Sequence, residues 1–153
     1  MKKIIAMFAV MLLCACAEPA PFEETFRASL ETAQPGDVID IPEGIFSFDR
    51  SLILNADGVT IRGKGMDKSV LSFKGQLAGA EGLSVSASNF TIEDLAIEDA
   101  IGDALKINEG DNIVISRVRT EWTNGPDVNN GAYGIYNVQT TYVLIEDNVA
   151  IAA

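Results

Sequence analysis

Phe90-Thr91-Ile92-Glu93 stands just after a polar turn, and the same phrase returns as Val59-Thr60-Ile61-Arg62, Ile113-Val114-Ile115-Ser116 and Val143-Leu144-Ile145-Glu146. Anchored on Ile61, Ile92, Ile115 and Ile145, the copies lie about 31, 23 and 30 residues apart, a spacing that suits stacked coils with loops inserted between some of them. A second phrase fixes the same register. Gly82-Leu83-Ser84-Val85, Ala104-Leu105-Lys106-Ile107 and Gly134-Ile135-Tyr136-Asn137 each precede the first phrase by about ten or eleven residues. Within both, an apolar residue recurs at every second position in most copies, so every second residue faces one side of a short strand.

Working outward from these phrases, Ile39 and Ile41, Phe46 and Phe48, Leu52 and Leu54 alternate in the same way ahead of the first copy. Three short strands per coil is the simplest account. Asn137 falls where Val85 and Ile107 stand in the other copies. Either it points inward and needs partners, as in a side-chain ladder, or the strand bulges so that Val138 recovers the inward position; the bulge is the favoured expectation. Upstream, Phe22, Phe26 and Leu30 fall four apart, with Ala28 and Ala33 nearby, and Gln34-Pro35-Gly36-Asp37 closes the segment. That spacing predicts one short amphipathic helix, after which the period changes to two.

These residues resemble a family, the right-handed parallel β-helix repeat proteins of the pectate-lyase-like superfold. Pro35-Gly36-Asp37 leading to Ile41-Pro42-Glu43-Gly44 resembles the start of a first coil behind a capping helix. Gly58-Val59-Thr60-Ile61-Arg62-Gly63-Lys64-Gly65 looks like the usual second turn. Gly131-Ala132-Tyr133-Gly134-Ile135-Tyr136 with Asn137 to Thr141 is similar to one exported, largely uncharacterised group. The resemblance covers roughly Phe22 to Ala153 and implies an all-β chain: a right-handed parallel β-helix, a solenoid of three short strands per coil, with a short N-terminal capping helix. It says little about activity, because the superfold serves lyases, hydrolases, epimerases, adhesins and non-catalytic modules.

The N-terminus carries an address. Met1-Lys2-Lys3 and the apolar run Ile4 to Leu13 read as an export signal, too short to span a bilayer as a mature helix. Leu13-Cys14-Ala15-Cys16 resembles the lipobox of bacterial lipoproteins, which makes Cys16 the predicted lipidated first residue. Cys14 fits worse because Leu13 precedes it. A disulfide between the two, or plain buried thiols, is the competing reading. Residues 1–15 are thus the predicted signal, 16–21 a stiff tether through Glu18-Pro19-Ala20-Pro21, and 22–153 the solenoid. Ala17 after the cysteine implies, by the same resemblance, outer-membrane sorting in a Gram-negative cell. At the other end, Ile145 to Ala153 stops in mid-coil without a polar cap. Solenoids need capped ends, so further coils are the preferred expectation, and a stacked subunit the alternative.

Twenty-two acidic residues against eleven basic ones give a net charge of −11 and a pI near 4.3. Such a chain repels nucleic acid, which is excluded as a partner. Histidine is absent, and after processing the only cysteine is the one that bears lipid. His-based triads, thiol catalysis and the commonest zinc sites are therefore ruled out of this segment.

Three constellations remain. Glu93, Asp94, Glu98, Asp99, Asp103 and Asp111 fall on turns of successive coils, where carboxylates of Asp99, Asp103 and, from the later loop, Asp127 are candidate calcium ligands. A solvated outer face with turn-forming aspartates explains the first group more plainly. Lys106, Arg117 and Arg119 are expected near one another on adjacent coils, Lys106 or Arg119 being the candidate base of a β-elimination. No pectate-lyase, polygalacturonase or alginate-epimerase motif accompanies them, and cross-coil salt bridges are the plainer account. The loop Glu121 to Tyr133 holds the sole tryptophan, and Trp122, Asn124, Asp127, Asn129 and Tyr133 are the candidate ligand-binding residues. Aromatic rings there would stack on sugar faces while amides and carboxylates take hydroxyls. Alternatively Trp122 folds down onto the coil.

The expectation is an exported outer-membrane lipoprotein, held to the membrane by its lipid, that binds or processes polysaccharide. If it is an enzyme, it is a polysaccharide lyase, epimerase or hydrolase. The alternative is a non-catalytic envelope scaffold that docks another exported protein.

Overall fold

The computed structural model describes residues 20–153. The predicted signal, Cys16 and most of the tether lie outside the described residues. Among the described residues a single helix, α1 (Phe22–Thr32), is followed by strands only: β1 (Val38–Asp40), β2 (Gly44–Ser47), β3 (Arg50–Leu54), β4 (Thr60–Arg62), β5 (Ser69–Ser72), β6 (Ala78–Ser86), β7 (Thr91–Glu98), β8 (Leu105–Glu121), β9 (Ile135–Asn137), β10 (Thr140–Glu146) and β11 (Val149–Ile151).

Every strand pairing is parallel, and each strand pairs with the equivalent strand one coil away. Three ladders result. One runs Ile39–Ile61–Ile92–Ile115–Ile145, the second Phe46–Leu71–Ile97–Thr120–Ala150, and the third Leu52–Leu83–Leu105–Ile135. This is a β-solenoid of about four turns with three strands to a coil. Matched positions in consecutive coils are 22, 31, 23 and 30 residues apart, as between Asp40 and Arg62, Asp57 and Ser88, Asn89 and Asn112, Asp111 and Thr141. Asp37-Val38-Ile39-Asp40 is thus an earlier copy of the opening phrase, hidden in the sequence because Asp37 stands where the other copies begin with an apolar residue.

Alternation explains the ladders. Ile61, Ile92, Ile115, Leu71, Ile97, Leu83 and Leu105 are fully buried, and around Ile61 and Ile92 the alternation is complete, with Thr60, Arg62, Thr91 and Glu93 more exposed, whereas Val70, Ser72, Ala96 and Ser116 are buried as well. Parallel pairing satisfies the backbone groups, and burial of each such side chain stabilises the coil by roughly 1.5–3 kcal/mol. At the N-terminal end α1 lies across the first coil. Phe22 meets Phe46 at 4.1 Å between ring centroids, Phe26 meets Phe48 at 6.0 Å, and Phe48 stacks on Phe73 in the next coil at 5.5 Å. Glu23 and Glu24 in the first turn suit the positive end of the helix dipole, and Pro35 follows its last turn. Ile145 at the other end is 49% exposed because nothing described stacks above it.

One local expectation is corrected. Asn137 pairs in register with Ile107, its amide oxygen buried and without a partner, so no bulge delivers Val138 inward there; the Val138 N–H instead donates to the Ile107 carbonyl. The parallel ladder holds the strand in step with the coil beneath, and that outweighs the cost of one inward amide. Thr120, in the same coil, is likewise buried with its hydroxyl unpartnered.

Candidate functional site

The third ladder carries the site. Its inward residues Leu83, Leu105 and Ile135 alternate with an outer column, Ile53–Ser84–Lys106–Tyr136. One step earlier, the Gly82 N–H donates to the Asp103 carbonyl and the Ala104 N–H to that of Tyr133, so Glu81, Asp103 and Tyr133 hold equivalent positions in successive coils. Two adjacent columns therefore converge on one face. Tyr133 and Tyr136 stack with ring centroids 4.5 Å apart and planes 18° off parallel. The Lys106 ammonium lies 5.8 Å from the Tyr136 ring centroid and 3.2 Å from a Glu81 carboxylate oxygen. The Asn108 side-chain amide donates to the Ser84 hydroxyl at 2.8 Å. Tyr133 is 50% exposed, so one ring of the pair is open to solvent at the edge of a polar surface.

Chemically, this arrangement offers a rigid aromatic plane flanked by an ammonium, carboxylates, an amide and a hydroxyl. The ring supplies apolar contact area at little entropic cost, and the polar groups can donate to and accept from hydroxyls. Lys106 and Tyr133, predicted for different roles, are brought together with Asp103. Tyr136 and Glu81 were not predicted; the alternation in Gly134-Ile135-Tyr136-Asn137 carried the signal, since aligning it with Ala104-Leu105-Lys106-Ile107 sets Tyr136 above Lys106.

The other predicted residues are placed elsewhere. Trp122 is 4% exposed, and its indole N–H donates to the Ala100 carbonyl at 2.8 Å, so the ring belongs to the core and offers no face to a ligand. Gly131 makes this possible: a Cβ there would overlap the Gly102 carbonyl and crowd the Trp122 ring, so only glycine lets the loop close over it. Asn124, Asp127 and Asn129 stay exposed in the loop. The Asp127 carboxylate accepts from the Asn129 N–H and side-chain amide at 2.9 and 2.8 Å, which holds it below the usual carboxylate range.

Lys106 does not lie with Arg117 and Arg119. It sits on the third ladder, while Arg117 follows the first and Arg119 lies in the second. Arg119 donates to Glu98 at 2.7 Å and pairs with Glu121 and Asp67. Nor do Asp99, Asp103 and Asp127 converge. Asp99 caps the turn after β7, accepting from the Thr123 N–H and hydroxyl at 2.7 and 2.8 Å, and among the described residues no group of three acidic side chains is arranged to hold a metal ion. Also among these residues, no helix is long and apolar enough to cross a membrane.

Comparison with protein-family models, with curated proteins and with solved structures returns no match.

Proposed function

We propose that this chain is an exported lipoprotein, anchored through Cys16 in the outer membrane of a Gram-negative cell, whose parallel β-helix binds polysaccharide. Kinship with the exported group of the pectate-lyase-like superfold belongs to this proposal and rests on the phrases around Gly58–Gly65 and Gly131–Thr141. One observation carries the binding function: the Tyr133–Tyr136 stack beside Lys106 on the outer face of the third ladder. Binding is favoured over processing because the two candidate bases are on separate ladders, each held against carboxylates. Both cations are thereby engaged by carboxylates and not presented free to a substrate.

A glycan array probed with the wild-type protein and with Tyr133→Ala tests this reading. A signal lost in the variant supports it; no signal from any glycan, with the protein folded, overturns it. Failure of a radiolabelled fatty acid to enter the wild type, or equal labelling of Cys16→Ala, would dismiss the anchor.

The second reading, a scaffold docking another exported protein, draws on the exposed apolar side chains Ile45, Ile53 and Leu144 on outer strand faces. Photo-crosslinking from position 144 to a single envelope protein, with no glycan signal, would favour it.

A further inference from the structure

Resting on the glycan-binding reading, we infer that the Tyr133–Tyr136 face takes an uncharged polysaccharide and rejects acidic ones. The reason lies in how the cations are spent. Among the described residues, every arginine and lysine except Lys74 lies within salt-bridge distance of a carboxylate. At the site itself Lys106 has Glu81 at 3.2 Å, with Asp103 at the matching position of the next coil. The local charge is therefore negative.

A uronate or sulfate brought to this face would have to displace Glu81 from Lys106 while that carboxylate stayed close by. The Lys106–Glu81 pair is part-buried, and a polyanion that opened it would leave the freed carboxylate to repel the ligand from the same few ångströms. A divalent cation could relieve that repulsion, yet among the described residues no group of three acidic side chains is arranged to hold one. Across the molecule, a net charge of −11 adds long-range repulsion. An uncharged sugar meets none of these penalties. Its apolar face stacks on Tyr133, and its hydroxyls find donors in Lys106 and acceptors in Glu81 without breaking the pair, because the ammonium has three donors and the carboxylate two oxygens.

Affinity gel electrophoresis of the purified full chain in detergent tests the inference, using galactomannan and dextran as uncharged polymers and polygalacturonate and alginate as acidic ones. At least one uncharged polymer should retard the wild type, equally at low and high ionic strength, and neither acidic polymer should do so, with or without calcium. Tyr133→Ala, at an exposed ring whose loss leaves the core intact, should weaken retardation about tenfold, as loss of one aromatic contact predicts. Tyr136→Phe, which keeps the stack, should retain it. Retardation by an acidic polymer that equals or exceeds that by the uncharged ones overturns the inference and leaves a glycan site in place. Retardation by neither class overturns the glycan-binding reading itself.

Discussion

Arg117 sits directly above Asp94 in the next coil, at the same turn position, and grips its carboxylate with two bonds, Nε to Oδ1 at 2.7 Å and Nη2 to Oδ2 at 2.8 Å. Both residues adopt left-handed backbone, with φ of 52° and 59°, so the turn repeats from coil to coil. A second Nη2 contact reaches Glu93 at 2.9 Å. The guanidinium holds the Asp94 carboxyl below its ordinary range, and the carboxylates in turn push Arg117 up.

This pair predicts an acid dependence. Because the Asp94 pKa is depressed on folding, its contribution is full above the unfolded value of about 3.9 and disappears as pH falls through the lower folded value. Arg117→Gln should therefore be less stable than wild type at neutral pH, and the gap should close below about pH 4. Urea midpoints measured from pH 7 down to pH 2 check this; a gap that stays constant across the range would show that the pair does not act through its charge.

Trp122 provides a second test. Trp122→Ala removes a buried ring and should cost about 3–5 kcal/mol, enough to threaten folding. Trp122→Phe keeps most of the packing but strands the Ala100 carbonyl, at a cost of about 1–3 kcal/mol. Urea unfolding followed by circular dichroism measures both, and the Phe variant should keep its glycan retardation unchanged. As the sole tryptophan, Trp122 should also emit at short wavelength in the folded chain and shift red on unfolding.

Tyr142 is misplaced for its turn. It continues a column, Gly36, Gly58, Asn89 and Asn112, in which every residue has positive φ, and its own φ is 49°. Glycine and asparagine tolerate that geometry better than tyrosine, whose ring here is 83% exposed and offers little packing in return. Tyr142→Asn should stabilise the last coil by about 0.5–1 kcal/mol and extend the side-chain ladder in which the Asn112 amide donates to Asn89 at 2.9 Å. Slower amide exchange in residues 140–146 is the expected readout.

The two inward polar groups of the fourth coil make the opposite prediction to most core changes. Thr120→Val replaces a buried, unpartnered hydroxyl with a methyl and should raise stability by about 1 kcal/mol. A fall in the thermal midpoint would mean that the hydroxyl has a partner, such as a bound water.

Alternation and repeat spacing made the ladders legible, because in a parallel solenoid each inward residue must stack on the equivalent residue of the coil before it. Ile61, Ile92 and Ile115, and the aligned Leu83 and Leu105, could be read from the chain alone for that reason, as could the helix closed by Pro35. The site was legible only in part. Lys106 and Tyr133 drew notice singly, but they meet Tyr136 only through a register between residues distant in sequence.

Loops obey no such period. Composition gave no means of telling whether Trp122 rose toward solvent or turned inward, and the outcome hung on the space left by Gly131 and on one carbonyl, that of Ala100, within reach of the indole N–H. The pairing of almost every cation among the described residues had the same character, since most of these charges find partners across coils at distances that only the stacked chain sets. What the sequence by itself determined was the coil, its three strands and its inward faces, all consequences of local alternation repeated. The tertiary structure alone decided which outer residues share a face and which charges are neutralised, because those are contacts between successive turns of the solenoid.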